Sequence, residues 1–140
     1  MKALPALLLV PILCTAGTPQ LDDRAAWREA CKLSGYSCAG IRRPWVAIAP
    51  LGDIYGRYYM GQQYILVHED LTGNEAYAVR VHEMTHYLQW KHGKWTFTQE
   101  NRCQMEHDAF DVSNTVLRRL GSPEDVIEWG TVREGYGCSV

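Results

Sequence analysis

The stretch Thr72-Gly73-Asn74-Glu75-Ala76-Tyr77-Ala78-Val79-Arg80-Val81-His82-Glu83-Met84-Thr85-His86-Tyr87-Leu88-Gln89-Trp90-Lys91-His92-Gly93 carries most of what this chain discloses about itself. Thr72 and Glu75 stand at capping-box spacing, and neither Gly nor Pro follows Glu75 until Gly93, so the pattern predicts one helix over Asn74 to His92. Its apolar residues, Tyr77, Val79, Val81, Met84, Tyr87, Leu88 and Trp90, fall nearly all the way round the axis. A helix of that kind belongs in the centre of a fold, largely buried. The polar residues inside it then need a reason.

Residues four apart lie one turn apart on the same helical face, so His82 and His86 can offer both imidazoles to a single ion. Neutral imidazole suits zinc. Glu83 lies about 100° round the axis from His82, close enough to reach a water on that ion yet offset from its ligands. It is placed as a general base, with a catalytic zinc lowering the pKa of the water and polarising a carbonyl. The bland reading is a solvent-facing His-Glu-x-x-His on an ordinary helix. The apolar setting weighs against it.

A catalytic zinc needs a third protein ligand and an open fourth position. Downstream, Thr98 reads as the cap and Gly121 as the stop of a second helix over Gln99 to Leu120. Cys103, Glu106, Ala109, Phe110, Ser113, Leu117 and Leu120 recur on it at three- and four-residue steps as one inward stripe. Glu106 is a carboxylate in that stripe, costly there unless paired or bound to metal, and is the strongest candidate for the third ligand. His92 is the rival: it follows His86 by six residues, but Gln89 stands where a chain-turning Gly would have to be. His107 serves only if the second helix is rotated by about 100°. Cys103 could bind as thiolate, though a disulfide is the better reading of it.

Working outward, Thr18-Pro19 followed by Leu21, Ala25, Trp27, Ala30 and Leu33 predicts a capped helix stopping at Ser34-Gly35. Pro44 to Leu51 and Arg57 to Val67 are rich in Tyr, Val and Ile, with Gly61-Gln62 dividing the second run, which predicts strands and a hairpin. Ser122-Pro123-Glu124-Asp125 predicts a short terminal helix reaching Trp129. The expected fold class is therefore α+β: an N-terminal helix, a small sheet with an antiparallel edge, the motif helix packed on a second long helix, and a short C-terminal helix.

The N-terminal residues are set apart from that domain. Met1-Lys2, the apolar run Ala3 to Leu13 and the small residues Cys14-Thr15-Ala16-Gly17 have the pattern of a signal peptide over residues 1–16, leaving 17–140 as one domain. The run is about half a bilayer span, so no membrane span is expected after cleavage, and a secreted or periplasmic location is. Of 5 cysteines, removing Cys14 leaves four, Cys31, Cys38, Cys103 and Cys138. In a small exported chain these read as two disulfides, and of the three connectivities Cys31–Cys38 with Cys103–Cys138 is favoured. A formal net charge of -2 with no basic run longer than Arg42-Arg43 or Arg118-Arg119 excludes the electrostatic footprint of a nucleic-acid binder.

With His82, Glu83, His86 and Glu106 in place, the sequence resembles the zincin metallopeptidases, in particular the gluzincin branch, over roughly Arg57 to Leu120. The resemblance implies hydrolysis of a peptide or protein substrate at one zinc ion, and the sequence leaves a cell-wall peptide, a pro-protein and secreted peptides open as that substrate. It also implies a cleft under an edge strand, here Tyr64 to His68, that an extended substrate joins by strand addition. Where the thermolysin-like pattern has an Asp four residues after the ligand Glu, this chain has Phe110, so Asp111 or a backbone carbonyl is left to orient a zinc histidine. Tyr58, Tyr59, Tyr64, Tyr87 and Tyr136 are all candidates for stabilising an oxyanion, and none is singled out. Trp45, Trp90 and Trp95 read as core packing, and His68 as structural or solvated. The alternative function is an exported binding or structural module on the same frame, without turnover.

Overall fold

The computed structural model describes residues 21–139, so Thr18-Pro19 and the signal-peptide pattern lie outside the described residues. The architecture is α+β. Its elements are α1 (Asp23–Ser34), β1 (Trp45–Ala49), β2 (Gly56–Tyr58), β3 (Tyr64–His68), α2 (Gly73–Lys91), α3 (Gln99–Arg119) and the short α4 (Trp129–Val132), with single 3-10 turns at Pro123–Asp125 and Arg133–Tyr136.

Helix α1 is capped by Asp22, whose carboxylate accepts from the Ala25 N–H at 2.8 Å, so the start expected near Thr18-Pro19 moves to Asp23. It ends as expected at Gly35, left-handed at φ 77°. Helix α3 also follows expectation, with the Thr98 hydroxyl accepting from the Asn101 N–H. At the start of α2 Thr72 takes the cap position but makes no side-chain cap bond, and no capping box forms. Gly73 enters that helix at φ 58°, a distorted first turn instead of the regular one the box requires. The terminal helix expected over Ser122 to Trp129 is instead a 3-10 turn at Pro123–Asp125 and a separate α4. Val126, at ψ 130°, is extended and interrupts it.

Helix α2 packs against α1, α3, β2 and β3. The central cluster draws Ala26 and Ala30 from α1, Ile65 and Val67 from β3, Tyr77, Val81, Met84 and Leu88 from α2, and Val112 and Val116 from α3. The stripe expected on α3 was too narrow. Val112 and Val116 face α1 and α2 while Ala109, Phe110, Ser113 and Leu117 also lie buried, so the helix is enclosed on a wider arc.

The sheet order is β1-β3-β2. β1 runs parallel to β3, Val46 facing Ile65, and β2 runs antiparallel to it, Tyr58 facing Ile65. Tyr64 to His68 is thus the central strand and not an edge, because β1 occupies the side left free by the β2–β3 hairpin. The antiparallel edge is β2. Trp45, expected in the core, is 73% exposed on β1. Two disulfides, Cys31–Cys38 and Cys103–Cys138, fasten the end of α1 to the loop after it and the C-terminal tail to α3. Among the described residues no helix is long and apolar enough to cross a membrane.

Candidate metal centre

Helices α2 and α3 bring His82, His86 and Glu106 to one point. The two imidazole Nε2 atoms lie 3.1 Å apart, and Glu106 Oε2 lies 3.3 Å from the first and 3.1 Å from the second. Among the described residues this is the one group of three or more His, Cys, Asp and Glu side chains whose ligand atoms converge closely enough to hold a metal ion. The spacing tests the fit. A tetrahedral ion with bonds of about 2.0–2.1 Å keeps its ligands roughly 3.3 Å apart, and the three donor atoms sit at that separation. Two nitrogens and one carboxylate oxygen are also the donor types a catalytic zinc takes.

Electrostatics agree with a shared site. Burial works against charge on His86, but the Glu106 carboxylate beside it outweighs burial and lifts the imidazole to about 9. Burial likewise pushes Glu106 up, and the imidazoles of His86 and His82 overcome it, holding the carboxyl below the usual range. A bound cation would take the place of the proton that Glu106 holds on His86.

The tautomer of His86 is set by a residue that sequence reading passed over. Gln89, with no exposed surface, accepts at Oε1 from His86 Nδ1 at 2.8 Å, and its own amide Nε2 donates to the Met105 carbonyl at 2.9 Å. The proton is thereby fixed on Nδ1, which leaves the Nε2 lone pair for an ion. Gln89 follows His86 by three residues on the same face, which was the available signal. Asp111 does not take this role. It is exposed and lies against His107, away from the ligand triangle. Phe110 instead packs edge-on against the His82 ring, with centroids 4.6 Å apart. From the loop after α2, Trp95 donates from Nε1 to the His86 carbonyl and covers its ring.

The other histidines stand elsewhere. His92 donates from Nε2 to the Ser37 carbonyl at 2.7 Å and stacks on Tyr36, which ties it to the loop closed by Cys31–Cys38. His107 stacks on Trp129. His68 accepts the Asp70 N–H at Nδ1, so its Nε2 donates to the Gly52 carbonyl. Cys103 is in its disulfide.

Glu83 is 6% exposed, and burial pushes its carboxyl above the usual range, with His82 and His86 pulling the other way. It lines a cleft of about 500 Å³ together with His82, the approach to β2 from Asp53 to Gly56, Phe110 and Tyr136. Gly56 matters here. A Cβ on it would stand 2.6 Å from Val79 Cγ1 and 2.8 Å from Glu83 Oε1, so only glycine lets the edge strand cross the motif helix this closely.

Of the five tyrosines weighed, Tyr136 is the one that lines the cleft. Burial, then Glu106 and Glu83, push its hydroxyl up to about 12, so it remains a donor at neutral pH. Tyr87 accepts from Gln63 and donates to the Arg42 carbonyl, and Tyr58 donates to the Gln62 carbonyl; both are occupied in holding loops.

No family model, curated protein or solved structure matches this chain.

Proposed function

We propose that the chain is an exported zinc-dependent metallopeptidase. The observation that carries this reading is the triangle of His82, His86 and Glu106 donor atoms with Glu83 buried beside it at the wall of an open cleft. A structural metal site has no need of that fourth side chain, a carboxylate that burial pushes above the usual range.

His82, His86 and Glu106 would hold the ion; Gln89 fixes the orientation of the His86 ring, and Trp95 packs against it. Zinc, when bound, supplies Lewis acidity and brings the pKa of a water near 7. Glu83 accepts that water's proton at its carboxylate and returns it to the departing amine. Tyr136 donates a hydrogen bond towards the oxygen on which negative charge develops. The free edge of β2, beside the cleft, gives an extended substrate backbone groups to pair with. Two disulfides suit an oxidising compartment, consistent with export.

The test is a chelation cycle. The zinc-loaded chain, screened against peptides, proteins and cell-wall peptides, is expected to cleave a subset, to lose that cleavage on zinc removal and to regain it on zinc addition. Full zinc occupancy with no cleavage across the panel would favour the binding-module alternative.

A further inference from the structure

Charge is unevenly spread over the molecule. Residues 36–52, 54–68 and 84–99 carry Arg42, Arg43, Arg57, Lys91 and Lys94 and no Asp or Glu, although acids outnumber bases in the chain as a whole. None of these cations has an ion-pair partner among the described residues. The fold gathers them round the last turns of α2. Gln63, just before β3, donates to the Arg42 carbonyl and to the Tyr87 hydroxyl, and the Lys91 ammonium lies 5.4 Å over the Tyr87 ring. Lys94 is held there by its N–H on the Gln89 carbonyl.

Apolar side chains stand exposed among these cations. Strand β3 buries Ile65 and Val67 against α2, so alternate residues turn to the opposite face of the sheet, where Trp45 is 73% exposed beside its register partner Tyr64. Tyr59 and Met60, in the turn of the β2–β3 hairpin, are exposed as well. The Arg57 guanidinium lies 5.3 Å over the Tyr59 ring and bonds its hydroxyl, so cation and aromatic present one surface. Phe97, on the loop that leaves α2, is 91% exposed.

Unpaired cations interleaved with exposed aromatic and thioether side chains match anionic headgroups over acyl chains: the cations meet phosphate, and the rings reach the layer beneath. A polysaccharide could use the Trp45 and Tyr64 rings but would leave Met60 and Phe97 without a role. The cleft is clear of this end. From its carboxylate Glu75 to Lys91, α2 runs about 24 Å, well beyond the roughly 10 Å screening length at 0.1 M salt, so the acids there do not cancel the basic end.

We propose that this end of the molecule docks the chain on an anionic lipid surface, with Arg42, Arg43, Arg57 and Lys91 on the headgroups and Trp45, Tyr59, Met60 and Tyr64 at the interface. The docking does not depend on the metallopeptidase reading, and it leaves the cleft open to solvent.

Cosedimentation tests it with the processed chain, freed of residues 1–16 so that their apolar run cannot insert. Vesicles of phosphatidylglycerol with phosphatidylcholine are compared with phosphatidylcholine alone at 0.1 M salt. Binding to the anionic vesicles is expected to be at least about tenfold tighter and to weaken as salt rises. Arg42→Gln with Arg57→Gln should weaken it about tenfold or more, and Ala47→Glu, an acid placed on the same exposed face, should weaken it too. Brominated acyl chains should quench tryptophan fluorescence, and Trp45→Ala should lose most of that quenching. All these positions are exposed, and unchanged thermal melting reports that the variants fold. Equal binding to anionic and neutral vesicles overturns the proposal, as does anionic binding that none of the variants alters. Vesicles left unbound while alginate is bound would assign the cations to an acidic polysaccharide and overturn it equally.

Discussion

His86 Nδ1 donates to Gln89 Oε1 at 2.8 Å, and this bond turns the other ring nitrogen towards His82 and Glu106. Gln89 is itself held by the Met105 carbonyl of α3, so the ligand on one helix is oriented by an amide anchored on the other. Gln89→Leu should therefore lower zinc affinity by about 10- to 100-fold, the range seen when such orienting partners are lost. Gln89→Glu, which restores an acceptor for Nδ1, should recover part of it. Competition against a chromophoric chelator measures both; unchanged affinity in Gln89→Leu would show that the bond does not orient the ligand.

The ligand set separates by alanine substitution. His82→Ala or His86→Ala should abolish stoichiometric zinc and Glu106→Ala should weaken it strongly, since each removes one corner of the triangle. His92→Ala should retain the metal, because that ring bonds the Ser37 carbonyl instead. Elemental analysis of the purified variants decides the matter. A His92→Ala chain stripped of zinc would restore the rival ligand set.

Zinc uptake should release a proton. With His86 lifted to about 9 in the metal-free chain, its imidazole is largely protonated at neutral pH and must be neutral to bind. Calorimetry at pH 7.5 in buffers of different ionisation enthalpy should report about one proton released per zinc, with affinity rising from pH 6 towards 9. Uptake with no net proton release would show that the His86–Glu106 pair is not charged as described.

Gly56→Ala places a methyl where Val79 Cγ1 and Glu83 already stand at 2.6 and 2.8 Å. Overpacking of this kind costs about 1–3 kcal/mol, and relief must come from the short β2 strand or from Glu83. Thermal melts should show lower stability, and zinc should stay bound because no ligand is touched. A variant as stable and active as wild type would mean that strand and helix separate more easily than their contact implies.

Much of this was legible because the motif helix states its own burial: apolar residues on every side of His82, Glu83 and His86 predicted a central helix, and α2 is one. Glu106 was legible as a carboxylate in an inward stripe. What escaped depends on pairings between distant segments. Residue alternation in Tyr64 to His68 cannot say whether β1 joins its far side, so a central strand was expected at the edge. Tyr136 could not be told from four other tyrosines, because the expected Cys103–Cys138 bridge ties the tail to α3 without saying which side chain of the tail turns into the cleft. Gln89 was weighed only as the residue in place of a turning glycine, and its amide became informative once Met105 lay opposite.

The most direct measurement compares wild type with Glu83→Gln for zinc content and peptide cleavage in the same preparations. The amide keeps the shape of the side chain but cannot take the water's proton, and Glu83 does not belong to the ligand triangle. Zinc should remain stoichiometric and the fold unchanged, while cleavage falls by at least the roughly 10²- to 10⁴-fold that general-base catalysis contributes. A Gln variant that cleaves as fast as wild type would contradict the account, because the carboxylate at the cleft wall would then have no part in the chemistry.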